Sequence, residues 1–229
     1  MRISAVVPVL DEEAAVAACV AALRALPGEW EVIVVDGGST DATVSRARAA
    51  GADRVLSAPR GRGPQLAAGA AAARGEALLF LHADCRLPDG AAAAVAETLR
   101  DRRWSAGAFW VRHRVGPEAG PIARRLVRIA DRRSRRTRLP YGDQALFTTA
   151  ERLAAAGGVP RQPLMEDLEL SRRLRRLGPI RILPLAVEVS GRRFALRPWR
   201  SFFCWNTFPL LYRLGVSPVR LARWYGDPR

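Results

Sequence analysis

Three apolar runs near the start of the chain each lead into an acid, and that repetition constrains the fold more than any other feature. "ISAVVPVL" is followed by Asp11, "EVIVVD" ends at Asp36, and "ALLFLHAD" carries His82 and Asp84. Continuously apolar runs this short read as strands buried on both faces. Between them the sequence turns helical. Asp11, Glu12 and Glu13 open an alanine-rich helix through about Leu26, with the acids at its positive end. Gly37 and Gly38 permit a sharp turn after Asp36, and Ser39 or Thr40 is placed to cap the next helix. "ADRVLSAP" is a shorter strand and "QLAAGAAAARG" a further helix. Alternation at this spacing predicts an α/β fold with a largely parallel sheet and right-handed connections. Such sheets bind ligands beyond the carboxyl ends of their strands. Asp11, Asp36, His82 and Asp84 should therefore meet in one crevice, although they are remote in sequence.

The pattern changes after Arg100. "SAGAFWVRHRV" reads as a strand, Arg124 to Arg138 as a basic helix or helical hairpin, and "YGDQALF" as a polar turn entering a short strand. In "PLMEDLELSRRLRRLG" an acidic pair starts a helix whose Leu168, Leu170, Leu174 and Leu177 can face a core. "IRILPLAVEVS" supplies another strand or two. From Arg192 onward Trp, Phe, Tyr and Arg alternate, which suits either packing against the sheet or lying on a membrane interface. Pro198 and Pro209 argue against one long helix there. With no repeat and no long linker, a single domain over 1–229 is expected. Its parts are a nucleotide-binding half (1–100), an acceptor and catalytic half (101–191) and a C-terminal aromatic and basic segment (192–229).

The formal net charge of +15 suggests an anionic partner. Arginine supplies all of the excess, because the chain contains no lysine, and alanine is heavily used. That pairing looks like coding bias, so nucleic acid is not the expected partner; a nucleotide and an anionic membrane surface remain candidates. Cys19, Cys85 and Cys204 are odd in number and widely spaced, which excludes a disulfide framework and a paired-cysteine zinc site. A reduced, cytoplasmic compartment follows. The opening apolar run is too short for a signal peptide, and no stretch reaches the length of a membrane-spanning helix. Peripheral attachment at the inner face of the plasma membrane stays open.

Each candidate constellation has a plain structural alternative. Asp36 with its two glycines is either a capped turn or an acceptor for a base N–H or ribose hydroxyl. Arg60, Arg62 and Gln65, in "RGRGPQLAAG", either form a loop into a helix or grip phosphate. The glycines match neither GxGxxG nor a lysine-bearing phosphate loop. His82 and Asp84 share a side if extension persists, and Asp84 could hold Mg²⁺ or Mn²⁺ with a diphosphate completing the shell. His82 is a further candidate ligand, since Mn²⁺ accepts imidazole more readily. Otherwise Asp84 caps a turn and His82 is structural. Glu166 and Asp167 are either acids suited to a helix start or a catalytic pair with Asp167 as base. Tyr141, Gly142, Asp143 and Gln144 suit a polar loop that shapes an acceptor pocket.

Taken in order, "VVPVLDEE", "VIVVDGGSTDAT", "GRGPQLAAGAAAARGEALLFLHAD", "GAFWVR", "YGDQALF", "GGVPRQPLMEDLELSRRLRRLG", "SGRRF" and "LGVSPVRLARWY" resemble a family-2 glycosyltransferase of the GT-A fold. The series is most similar to a bacterial subgroup associated with radical-SAM/selenodomain proteins, also labelled arsenosugar-type. The resemblance spans nearly the whole chain and implies a Rossmann-like, mostly parallel sheet flanked by helices. It implies that Pro8, Glu12, Asp36, Arg62, Gln65 and Asp84 bind the nucleotide, and that Asp84, with His82 as a further ligand, holds Mg²⁺ or Mn²⁺. Asp167 is similar to the general base, supported by Glu166. Tyr141 to Gln144 would line the acceptor side, and Arg192 and Arg193 would approach the leaving diphosphate.

The implied reaction is inverting transfer from a nucleoside-diphosphate sugar, UDP-sugar favoured, to a hydroxyl of a sugar, lipid or small metabolite. Departures from the family pattern are His82 in place of the usual aspartate, Asp11 for asparagine, and Ala67 where the subgroup often has asparagine. A nucleotide-binding pseudoenzyme and a nucleotidyltransferase are the rival readings.

Overall fold

The structure is a computed structural model that describes every residue except Glu118, Arg197 and 227–229, with only the backbone of Arg193. Its centre is one eight-stranded sheet that runs through both halves of the chain. The strands are β1 (Ile3–Val9), β2 (Trp30–Asp36), β3 (Arg54–Ser57), β4 (Ala77–Phe80), β5 (Cys85–Arg86), β6 (Ala106–Arg114), β7 (Phe147–Thr149) and β8 (Ile180–Ser190). They lie in the order β3-β2-β1-β4-β7-β6-β8-β5. The β3-β2-β1-β4 half is parallel, as the alternating pattern predicts. β7 is antiparallel to both β4 and β6, and β5 to β8, so the sheet is mixed.

Strands β1, β2 and β4 are buried along their whole length, which is why they read as unbroken apolar runs. Two core layers sandwich the sheet. One joins β1 and β2 to α1 (Val16–Ala25) and α4 (Ala91–Arg100); the other joins them to α3 (Arg62–Ala72) and α7 (Glu166–Leu177). Pro8 sits inside β1 yet breaks no ladder, because β4 has already ended opposite Val6. Buried Glu31 in β2 is held by the Ser4 hydroxyl and by the Arg74 N–H at 2.8 Å.

Three local expectations need correction. The first helix begins at Val16, not at the acids. Asp11 has φ +48° and accepts from Thr40 N (2.8 Å), while Glu13 accepts from Ala42 N (3.2 Å). These acids lace the loop after β1 to the loop after β2 rather than occupying a helix end. Helix α2 (Thr43–Ala49) is not capped by Ser39 or Thr40; Asp41 accepts from Thr43 N (2.9 Å) instead. Pro209 lies inside the helix α9 (Pro198–Arg213) without ending it. The tail comprises α8 (Arg192–Leu196), α9 and α10 (Pro218–Tyr225). Among the described residues no helix is long and apolar enough to cross a membrane.

Candidate active site

The carboxyl ends of β1, β2 and β4 converge, and the predicted residues there divide into those that build the crevice and those that face it. Asp36 is buried at the end of β2, where its carboxylate accepts from Gly38 N (3.1 Å), Ser39 N (3.1 and 3.2 Å) and Ser39 Oγ (2.5 Å). Glu12 donates its backbone N–H to Thr43 Oγ1 at 2.8 Å. Gln65 is buried, and its amide nitrogen donates to Val9 O (2.6 Å) and Val35 O (2.8 Å). It therefore straps the ends of β1 and β2 to α3. Gly37 packs on that amide so closely that a Cβ would lie 3.0 Å from Gln65 Nε2.

Extension does not persist through His82 and Asp84, contrary to the sequence expectation. β4 stops at Phe80, and a turn closed by Cys85 N donating to His82 O (3.0 Å) follows. The turn still gathers the side chains: ligand atoms of His82, Asp84 and Cys85 lie within 4.8 Å of one another. Sequence reasoning missed Cys85, because spacing alone gave it no partner. Its thiol faces Asp84 Oδ1 at 3.6 Å, and burial pushes its pKa well above the ordinary value, with the Asp84 charge adding to the rise. Cys85 is thus a neutral donor to Asp84. The donor set left for a divalent cation is one carboxylate and one imidazole, which fits Mn²⁺ or Mg²⁺ completed by diphosphate oxygens.

The second half brings Asp167 to the same place. A short 3₁₀ turn (Gly142–Gln144) precedes β7, and Gly142 N donates to Asp167 Oδ2 at 2.8 Å. A Cβ on Gly142 would sit 2.8 Å from His82 Nε2 and 3.2 Å from Asp167 Oδ2. His82 is thus close both to Asp84 and to Asp167. Met165, immediately before the acidic pair, has φ +63°, an uncommon conformation for a non-glycine residue that turns the chain into α7.

Glu166 points inward from the same helix start. It is 1% exposed, pairs through Oε1 with Arg62 Nε at 2.7 Å, and leaves Oε2 without a hydrogen bond among the described residues. Burial raises its pKa to about 7; Arg62 opposes the rise and the Asp167 charge reinforces it. The Glu166 carboxylate in turn holds the Arg62 guanidinium above its usual value. Asp143 is pushed up to about 6 by burial, against the pull of His113 and with the repulsion of Asp167. Burial also raises the Tyr141 phenol.

Tyr141, Asp143 and Gln144 line a small cleft of about 50 Å³ together with His113, Phe194 and Trp205. The Gln144 amide itself is engaged with Phe109 O (2.9 Å) and Ser134 O (3.1 Å). His113 is held through Nδ1 by Asp131 Oδ1 at 2.7 Å and edges onto Phe194. Arg192 is exposed at the start of α8, with its backbone N–H on Ser190 Oγ (3.4 Å). The Arg193 side chain lies outside the described residues.

The model of Glycosyl transferase family 2 matches residues 4–154. The chain belongs to this family. Among solved structures, the mannosyltransferase PcManGT from Pyrobaculum calidifontis, in complex with GDP-Man and Mn²⁺, is 20% identical with a TM-score of 0.73, over 94% of this chain and 65% of that one. S. aureus TarS 1-349 with UDP-GlcNAc is 18% identical with a TM-score of 0.62, over 83% and 58%. Glucosyl-3-phosphoglycerate synthase from Mycobacterium tuberculosis, with Mn²⁺, UDP and phosphoglyceric acid, is 27% identical with a TM-score of 0.55, over 80% and 68%. The chain thus spans between 58% and 68% of the length of these three structures. Comparison with curated proteins gives no match.

Proposed function

We propose that this family-2 protein is an inverting glycosyltransferase that moves a sugar from a nucleoside-diphosphate donor, UDP-sugar favoured, to an acceptor hydroxyl. The observation that carries the reading is that His82 and Asp167 close on Gly142 while Asp84 lies beside His82. Donor-side and base-side carboxylates come from different halves of the sequence, and each lies near the His82 imidazole. The uridine preference rests on similarity to the UDP-bound M. tuberculosis synthase and on the family resemblance of Asp36. Within the family, the motif series favours the radical-SAM/selenodomain-associated subgroup.

Asp84 and His82 would hold Mg²⁺ or Mn²⁺, whose positive charge would neutralise the diphosphate. Asp167 accepts the proton of the acceptor hydroxyl, and the resulting oxygen forms a bond to the anomeric carbon. The bond from that carbon to the diphosphate breaks on the opposite face, and the nucleoside diphosphate leaves with the electron pair. Gly142 N–H fixes Oδ2 of Asp167 in orientation. The cleft beside Asp143 and Tyr141 receives the acceptor.

The test is UDP release from UDP-sugars with Mn²⁺ over a panel of sugar, lipid and small-metabolite acceptors. Asp167→Asn should lower turnover by about 10²–10⁴-fold while donor binding, read as a thermal shift, is retained. Unchanged turnover in that variant removes Asp167 as the base. Donor binding without transfer or hydrolysis in the wild type favours the pseudoenzyme.

A further inference from the structure

Helix α9 is apolar on both sides, although only one side has the protein to pack against. Its inner side contributes Phe208 to a small core with Leu164 and Leu221, onto which Leu211 and Tyr212 also pack. Its outer side shows Trp199, Phe203 and Leu210, and the stripe continues to Leu214, just past its end. These positions are spaced by four, seven and four residues, which sets them along a single helical stripe. They are 64%, 63%, 56% and 73% exposed. A helix that is hydrophobic all round belongs in an interior, so this outer stripe calls for a partner.

Charge decides which partner. From residue 189 to 226 the chain has seven arginines and no Asp or Glu. Arg200 and Arg213 are exposed and adjoin the stripe in sequence. The neighbouring helix α5 (Pro121–Ser134) is tied to α9 by Arg133, which donates to Asn206 Oδ1 (2.9 Å) and lies 4.3 Å over the Trp205 ring. Among its described acids α5 has only Asp131, already paired with His113. A second copy meeting this face about a two-fold axis would set arginines against arginines, which is repulsive. A bilayer with anionic headgroups satisfies both features: Trp, Phe and Leu enter the headgroup–acyl boundary while arginines meet phosphate.

We propose that the outer face of α9 docks the protein on an anionic membrane surface. This inference stands apart from the transferase reading.

The experiment is sedimentation of the full chain with phosphatidylcholine vesicles, with and without phosphatidylglycerol, at low and high salt. Binding should require phosphatidylglycerol and weaken with salt. Trp199→Ser/Phe203→Ser/Leu210→Ser should lower the partition coefficient at least about tenfold. Arg200→Gln/Arg213→Gln should lower it by about fivefold per charge removed. The two variants act on separate features, and circular dichroism with thermal melts checks that each is folded. Equal binding to neutral vesicles, no binding to either, or insensitivity of binding to both folded variants overturns the proposal. So does light scattering that shows a dimer which the apolar variant dissolves while vesicle binding is absent.

Discussion

Asp167 Oδ2 accepts the backbone N–H of Gly142 at 2.8 Å, and the space a Gly142 side chain would take is bounded by Asp167 and His82. The two halves of the site are therefore in register only while residue 142 has no Cβ. A methyl group there would stand 2.8 Å from His82 Nε2, closer than such atoms come, and would displace the ring and then the carboxylate. Side-chain ends yield more cheaply than backbone, so Gly142→Ala should cost about 1 kcal/mol of stability. Turnover should fall by about 10–100-fold, because small displacements of reacting groups are expensive. Thermal melts and UDP release measured on the same preparation check both; full turnover would show that the close packing is incidental.

Gln65 is the clearest case of a predicted ligand residue with a structural job. Its amide bonds join Val9, the last residue of β1, and Val35, one residue before the end of β2. Gln65→Leu removes that donor from both carbonyls, although Val9 O keeps the Gly37 N–H at 2.9 Å, so a loss of about 1–3 kcal/mol is expected. Donor affinity should fall as well, since both crevice loops start from these strand ends. Denaturant titration of the variant measures the first effect. Undiminished stability with lost donor binding would return Gln65 to the role of direct nucleotide contact.

Much of the donor half was legible because its strands are apolar along their whole length and end at polar residues, as β2 does at Asp36. Hydrophobic period and turn chemistry are local signals. The positions of Asp11 and Glu13 were misread for the same reason: acids before a helical pattern look like helix-end acids, and only the folded loops reveal Thr40 and Ala42 as their partners. Cys85 and His113 carried no local signal at all. Cys85 adjoins Asp84 in sequence, yet only the turn after β4 sets its thiol against that carboxylate, and His113 meets Asp131 through strand-to-helix packing that spacing does not encode. The Arg62–Glu166 pair joins residues far apart in the chain and was invisible for the same reason.

Glu166 makes stability depend on pH. Its folded pKa is raised from 4.5 to about 7, so the folded state holds a proton that the unfolded chain releases. This contribution is fully present below about 4.5, is lost as pH rises toward 7 and is constant above. The shift corresponds to a loss on the order of 3 kcal/mol across that window. Asp143, raised to about 6, adds a decline of the same sign over the lower part of the window. Glu166→Gln cannot ionise, so its melting temperature should fall less than the wild type's between pH 4.5 and 7. Parallel melting curves for the two proteins would remove Glu166 as a source of the dependence.

Phe208 links the tail to the helix that bears Asp167. It is 4% exposed in the small core with Leu164, the residue before Met165, whose φ of +63° aims Glu166 and Asp167. Tyr212 adds a second tie by donating its hydroxyl to Glu169 Oε2 on α7 at 3.1 Å. Truncating a buried phenylalanine costs about 3–5 kcal/mol when its surroundings cannot collapse. In a satellite core of this size, Phe208→Ala should sit near the lower end. The loss should loosen the turn at Met165 first, because that turn is backbone held in an uncommon conformation by its surroundings. The donor crevice at the ends of β1 and β2 is held instead by Gln65 and by the laced loops, which are not part of the small core that contains Phe208. Turnover should therefore fall about tenfold or more while the UDP thermal shift stays close to that of the wild type. Equal losses of turnover and donor binding would mean that the tail supports the whole sheet rather than the helix bearing Asp167.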